Sequence, residues 1–216
     1  MGPYEVASLA FDIERRQLGL AGGRQDQYAA AFGGFNFIQF LPGGDNVIVN
    51  PLRLPRDLLN EFESSLVICF TGQSRQSAQI IEQQVSGLSA LDPATIEAMH
   101  EIKVHSATMK KRLLSGDIRG MAEVLNFAWT SKKRTASSVT NSRVEALLQV
   151  ALDAGAWGGK VSGAGGGGFI MLVTDPEKRY GLIRKLNEAG GSASAVKLTF
   201  EGAEAWAVPK QVAALA

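Results

Sequence analysis

Val6, Leu9, Ala10 and Ile13 fall three and four positions apart, which predicts a helix over 3–17 with Pro3 in its first turn and Gly19 as its stop. Behind Gly22 and Gly23, the stretch from Arg24 to Ala31 reads as a second, shorter helix. Gly33 and Gly34 break that pattern. Phe35-Asn36-Phe37-Ile38-Gln39-Phe40 then alternates as a half-buried strand does, and the turn residues Pro42-Gly43-Gly44-Asp45 lead into a returning strand over 46–50. Leu66-Val67-Ile68-Cys69-Phe70 is short and continuously apolar, which suits the middle of a sheet. Helical spacing returns over 74–84, over 92–114 with Asp92-Pro93 as a start signal, over 118–130 and over 141–154. The tail reads as a strand from Phe169, a helix over 176–187, a strand over 195–200 and a last strand over 205–208. Element order of this kind is α+β, with a helical block feeding a closing β-α-β-β unit.

Composition narrows the functional classes. A chain of 216 residues with 45% hydrophobic and 20% charged residues buries a sizeable core. Twenty-two basic and 21 acidic side chains leave no net field that would draw nucleic acid or an anionic membrane. The single cysteine, Cys69, lies in an apolar run and reads as a small core residue, and no intrachain disulfide is possible. Neither a long apolar span nor a basic-then-apolar leader occurs, so the cytoplasm is the default compartment.

Lys160-Val161-Ser162-Gly163-Ala164-Gly165-Gly166-Gly167-Gly168-Phe169 is the densest glycine run in the chain. Such a run is a flexible linker, a tight turn that lets a helix and a strand pack closely, or a loop whose backbone amides approach an anion. The lysine before it and the apolar strand after it favour the last. Neither a P-loop nor a dinucleotide-binding glycine pattern is present.

Other side chains carry two readings each. Asp26, in the first turn of its helix, is a cap or dipole partner, or a base that orients a hydroxyl with Arg24 nearby. Glu14 is a solvated surface charge, or a magnesium ligand beside a nucleotide phosphate. Lys132-Lys133-Arg134 is a solvated helix end, or a grip on a substrate phosphate. Ser74 and Ser77 cap a helix or meet a phosphate at its N-terminus, while His100 and His105 lack partners at metal-ligand spacing.

Taken together these residues resemble the superfamily of galactokinase, homoserine kinase, mevalonate kinase and phosphomevalonate kinase, the GHMP kinases. The run from Lys160 to Phe169 is similar to that family's C-terminal glycine-rich motif, and Gly22 to Gly34 to the region of its catalytic aspartate. The wording from Gly22 to Phe35 is similar to the branch that acts on D-glycero-D-manno-heptose 7-phosphate. The resemblance implies a two-domain architecture, with residues 1–60 the remainder of an incomplete N-terminal domain and residues 61–216 a C-terminal domain with a ferredoxin-like sheet. It implies ATP-dependent phosphorylation of an anomeric sugar hydroxyl, for lipopolysaccharide or capsule precursors, with Mg2+. In that role Asp26 is the base with Arg24 beside it and Glu14 the magnesium ligand. Gly163, Ala164, Gly165, Gly166 and Gly167 form the nucleotide-phosphate loop, and Lys132, Lys133, Arg134 and Gln25 lie on the substrate side. Another kinase of the superfamily, or a non-catalytic ligand-binding module, is the alternative. The family's first two motifs do not appear in the sequence, which implies an isolated chain without turnover, completed by a second fragment or a homodimer.

Overall fold

Glu5 folds back on the Gly2 amide at 2.7 Å to open helix α1 (Pro3–Phe11), with Pro3 at its first position. A π-helical segment, Asp12–Gln17, continues it. The expected helical run is therefore filled, with a wider final turn that re-aims its side chains. The computed structural model describes residues 1–43, 46–73 and 77–206, and its chain divides into two compact units.

The first unit comprises Met1–Leu18, Gly23–Pro51 and the chain from Thr199 onward. Helix α2 (Gln25–Phe32) is followed by strands β1 (Asn36–Phe40) and β2 (Val47–Pro51), which pair antiparallel with Asn36 opposite Pro51 and Phe40 opposite Val47. This is the expected hairpin; its Gly44 and Asp45 lie outside the described residues. Ala7, Tyr28, Ala31 and Val49 form its buried centre. Tyr4 spans it: its ring meets Phe32 edge-on at 4.8 Å, and its hydroxyl accepts the Val49 amide at 3.0 Å. The returning segment sets Phe200 6.2 Å from Phe35 and bonds the Ala203 amide to the Ala31 carbonyl at 3.4 Å.

The second unit, Gly19–Gly22 with Leu52–Leu198, holds all the remaining elements. Helix α3 (Arg56–Ser65) runs straight into β3 (Leu66–Phe70), and α4 (Ser77–Ser89), α5 (Pro93–Leu114), α6 (Ile118–Lys133) and α7 (Ser142–Asp153) form the helical block. Strands β4 (Ala156–Val161) and β5 (Phe169–Thr174), helix α8 (Arg179–Glu188) and β6 (Ser192–Ala195) close the unit. The sheet runs β4-β5-β3-β6, every pair antiparallel. This is a split β-α-β-β-α-β arrangement with β3 as its first strand. Val67 and Cys69 of β3, Ile170 and Leu172 of β5 and Ala193 of β6 present one face to Leu147 and Leu148 of α7 and Leu182 and Leu186 of α8. Burial raises the Cys69 thiol above its usual range, in keeping with a core residue.

Three sequence expectations need correcting, and one helix was not foreseen. The closing unit has an extra strand, β4, so the glycine run joins two strands of a hairpin rather than a helical block and a strand. Helix α3 carried no expectation. The strand expected over 195–200 lies at Ser192–Ala195, because the Leu198 amide donates to Glu63 Oε2 at 2.8 Å and Lys197 pairs with the same carboxylate at 2.7 Å, drawing the chain off the sheet. Ala205 and Trp206 form no strand, and 207 and 208 lie outside the described residues, as do Ser74, Arg75 and Gln76.

Helix α6 is fastened to β4 by one side chain. Asn126 accepts the Gly159 amide at 3.0 Å through Oδ1 and donates to the Trp157 carbonyl at 3.2 Å through Nδ2. Asn126→Ala leaves both backbone groups without that partner and is expected to lower unfolding free energy by about 1–3 kcal/mol, read from urea denaturation midpoints; an unchanged midpoint would count against this fastening.

Candidate functional site

The π-helical turn brings Glu14 onto the start of α2. Gln27 Nε2 donates to Glu14 Oε2 at 2.8 Å, and Arg15 lies 3.3 Å from the same oxygen while its Nε donates to the Gly23 carbonyl at 3.0 Å. Glu14 is partly exposed yet held by two partners. Gln27 itself is 5% exposed, and its Oε1 has no hydrogen-bond partner among the described residues. One carboxylate thus fixes both the loop before α2 and the residue after Asp26.

Asp26 stands exposed in the first turn of α2, whose N-cap, Arg24, makes no side-chain capping bond. Gln25 is exposed beside it. The Arg24 guanidinium lies over the Phe11 ring at 4.5 Å. Ser8, Phe11, Asp12, Arg16, Arg24 and Tyr28 line a cavity of about 110 Å³ there. A carboxylate free of a capping role, on a helix start anchored by Glu14, is available to accept a proton or orient a hydroxyl.

In the second unit, residues 162–168 link β4 to β5. The loop is held from three sides. The Gly166 amide donates to the Val139 carbonyl at 2.6 Å, the Gly168 amide to the Gln73 carbonyl at 2.7 Å and the Thr71 amide to the Gly168 carbonyl at 2.9 Å. Asn141, which caps α7 by accepting the Val144 amide at 2.9 Å, donates its Nδ2 to the Gly166 carbonyl at 2.8 Å. Among the described residues the amides of Gly163, Ala164, Gly165 and Gly167 carry no hydrogen bond. Gly165 and Gly167 have φ of +117° and +143°, and a Cβ there would sit 2.5 Å from the Val139 carbonyl oxygen and 2.7 Å from that of Gln73. A pinned loop with four uncommitted amides beside a capped helix N-terminus is suited to an anion.

The three basic residues at the end of α6 divide. Lys133 lies 3.3 Å from Glu145 of α7 and 6.0 Å from the Trp129 ring centroid. Arg134 pairs with Glu97 and, at 2.8 Å, with Glu101, both on α5. Lys132 alone turns to the glycine loop, donating to the Gly163 carbonyl. Burial and the neighbouring Lys160 charge lower its pKa to about 8. Lys160, half-buried on β4, donates to the Val161 carbonyl at 3.0 Å, and burial lowers its pKa as well. In the sequence Lys160 marks the loop as one suited to an anion without itself being assigned to the site. An isolated cation just before an anion-type loop was the signal.

A magnesium ion bound to a nucleotide needs only one or two protein carboxylates, the remaining ligands being phosphate and water. Among the described residues no group of three or more His, Cys, Asp or Glu could hold a metal alone. Glu14 fits the lesser requirement: its bonds to Gln27 and Arg15 fall on Oε2, and among the described residues none falls on Oε1. No helix among the described residues is long and apolar enough to cross a membrane.

Residues 109–192 match the family described as GHMP kinases C terminal. The chain is 42% identical over 208 residues to D-glycero-alpha-D-manno-heptose 7-phosphate kinase of Campylobacter jejuni, a match covering 96% of this chain and 60% of that protein. Among solved structures, a D-glycero-D-manno-heptose 1-phosphate kinase from Bacteroides thetaiotaomicron superposes with a TM-score of 0.73 at 40% identity, covering 97% of this chain and 56% of the other. A putative sugar kinase from Campylobacter jejuni gives a TM-score of 0.71 at 40% identity, covering 95% and 58%. The chain thus spans somewhat over half the length of these relatives.

Proposed function

We propose, from the match of residues 109–192 to the family described as GHMP kinases C terminal, that this chain serves an ATP-dependent sugar kinase acting on the anomeric hydroxyl of D-glycero-D-manno-heptose 7-phosphate. The observation that carries the chemistry is the glycine loop, a pinned turn in which four backbone amides make no hydrogen bond among the described residues. The sugar is taken from the Campylobacter jejuni relative. Phosphoryl transfer depends chiefly on positioning and charge neutralisation, which is what this chain's groups can offer.

In the proposed reaction Asp26 accepts the proton of the anomeric hydroxyl through its carboxylate and holds that oxygen in line with the terminal phosphate of ATP. Arg24 and Gln25, two and one residues before it, orient the sugar. Glu14 would hold magnesium through Oε1; when bound, the ion screens the phosphate charges as the nucleophile approaches. Gly163, Ala164, Gly165 and Gly167 donate to phosphate oxygens, with Gly166 fixed to Val139 as the loop's inner anchor. The product, a sugar bisphosphate, suits activation toward lipopolysaccharide or capsule precursors in the cytoplasm, where ATP is available.

The test is a phosphorus NMR assay of the kinase carrying this chain, supplied with ATP, magnesium and the heptose 7-phosphate. A new anomeric phosphate resonance that depends on the 7-phosphate sugar is expected. Equal turnover of galactose or mevalonate would overturn the assignment of the sugar while leaving the kinase class intact; transfer to none of the three would overturn both.

A further inference from the structure

Two half-buried lysines close to the mouth of the glycine loop have no acidic partner among the described residues, although the other basic residues of the same helix end are paired. An uncompensated cation away from water is costly, and two that repel one another are more so, unless an anion arrives to neutralise them. Neither lysine is tied to a carboxylate; each spends its ammonium on one backbone carbonyl, Gly163 for Lys132 and Val161 for Lys160. Those carbonyls belong to the segment that leads into the four unbonded amides.

We propose that Lys132 of α6 and Lys160 of β4 form a paired cationic site for one phosphate monoester dianion at the entrance of the glycine loop. Each ammonium has three donors, so both can bond phosphate oxygens while keeping their carbonyl contacts. The site narrows the three basic residues of the α6 end to one and adds a residue from the sheet. It also assigns Lys132 a second task, because its bond to the Gly163 carbonyl couples the state of the site to the loop. The site draws on the kinase reading only for the identity of the ligand, which is either the 7-phosphate of the sugar or a phosphate of the nucleotide.

The experiment titrates the isotope-labelled chain with sulfate, whose charge is constant from pH 6 to 9, and follows the amide signals of residues 163–168. Saturable shifts are expected at pH 7, with affinity at least about tenfold weaker in Lys132→Met and in Lys160→Met, as loss of a charge-assisted bond implies. Lys103→Met, an exposed position on α5, should match the unsubstituted chain. Affinity should fall as pH rises through about 8, where Lys132 loses its proton. Lys160 is the charged group that faces Lys132; Lys133 and Arg134 on its own helix are engaged by Glu145, Glu97 and Glu101.

Heptose 7-phosphate and a non-hydrolysable ATP analogue are then added to the sulfate complex. Displacement by the sugar phosphate assigns the site to the acceptor, displacement by the analogue assigns it to the nucleotide, and either supports it. Non-saturating shifts, shifts unaltered by both lysine substitutions, or displacement by neither ligand overturn the proposal as an adventitious ion only. Thermal midpoints separate misfolding from lost binding, since removing a desolvated charge should leave each variant at least as stable as the original. Turnover does not enter the titration, so the site is judged on binding alone, and the kinase reading on the phosphorus NMR assay.

Discussion

Under the proposed sugar-kinase function, Asp26→Asn is expected to lower kcat of the protein containing this chain by about 10²- to 10⁴-fold, a barrier increase of about 3–5 kcal/mol, with KM for the sugar changed only a few-fold. The amide keeps the size of the side chain and its ability to bond a hydroxyl, but cannot take a proton at working pH. The substitution is clean because Asp26 makes no side-chain cap bond in α2 and stands exposed. Folding therefore loses little beyond a favourable charge near the helix start, worth about 0.3–1 kcal/mol. Steady-state kinetics with a parallel thermal melt separates the two roles. A melt lowered by several degrees with kcat unchanged would return Asp26 to a merely structural place.

The second large effect lies in the glycine loop and should differ residue by residue. Gly165→Ala and Gly167→Ala are each expected to lower unfolding free energy by about 2–4 kcal/mol, combining backbone strain with forced displacement of packed neighbours. At both positions φ lies where side chains are strained, and the new Cβ would overlap a carbonyl oxygen that itself accepts a bond from the loop. Gly163→Ala also has positive φ, at +73°, but its Cβ would enter open space. Its cost should stay near about 1–2 kcal/mol, the ordinary left-handed penalty. Urea denaturation of the three variants tests this ordering. Equal losses at all three would mean that the loop is not held by Val139 and Gln73 as the structure shows.

Much of the architecture could be read from residue spacing, because most elements are long and strongly periodic. The helices ending at Leu114 and Asp153 fall within a residue of expectation, since Asp92 and Asn141 both supply side-chain caps that the sequence advertises. Strand β4 was obscured by its own glycines. Gly158 sits where a Cβ would lie 2.2 Å from the Ala122 carbonyl oxygen, so close approach of α6 removed the alternating apolar signal. Helix α3 passes into β3 without a breaking residue, so its buried Leu58 and Phe62 merged with the apolar run that follows. Strand β6 has only serine and alanine, and pairing with β3 defines it rather than composition.

The candidate site was less legible, because its informative contacts join residues distant in sequence. Sequence placed Lys132, Lys133 and Arg134 together, and nothing local foretold that Glu145, Glu97 and Glu101 would claim two of them. Lys160 became meaningful only when β4 set it near Lys132 across a turn of chain that folds back on the sheet. The contact of Glu14 with Gln27 likewise depends on the π-helical turn, which residue spacing does not show.

The first unit takes its last contacts from Phe200 and Ala203, which meet Phe35 and Ala31 after the whole of the second unit has intervened in the chain. In the order of synthesis, those partners leave the ribosome long after the helices they cover. Closing so long an interval as free chain carries an entropy that grows with its length, and compaction of the intervening residues removes much of that cost. The second unit, built from an almost unbroken stretch, can mature while the first still waits. A lesion that slows compaction of the second unit would thereby delay the arrival of the first unit's last partners.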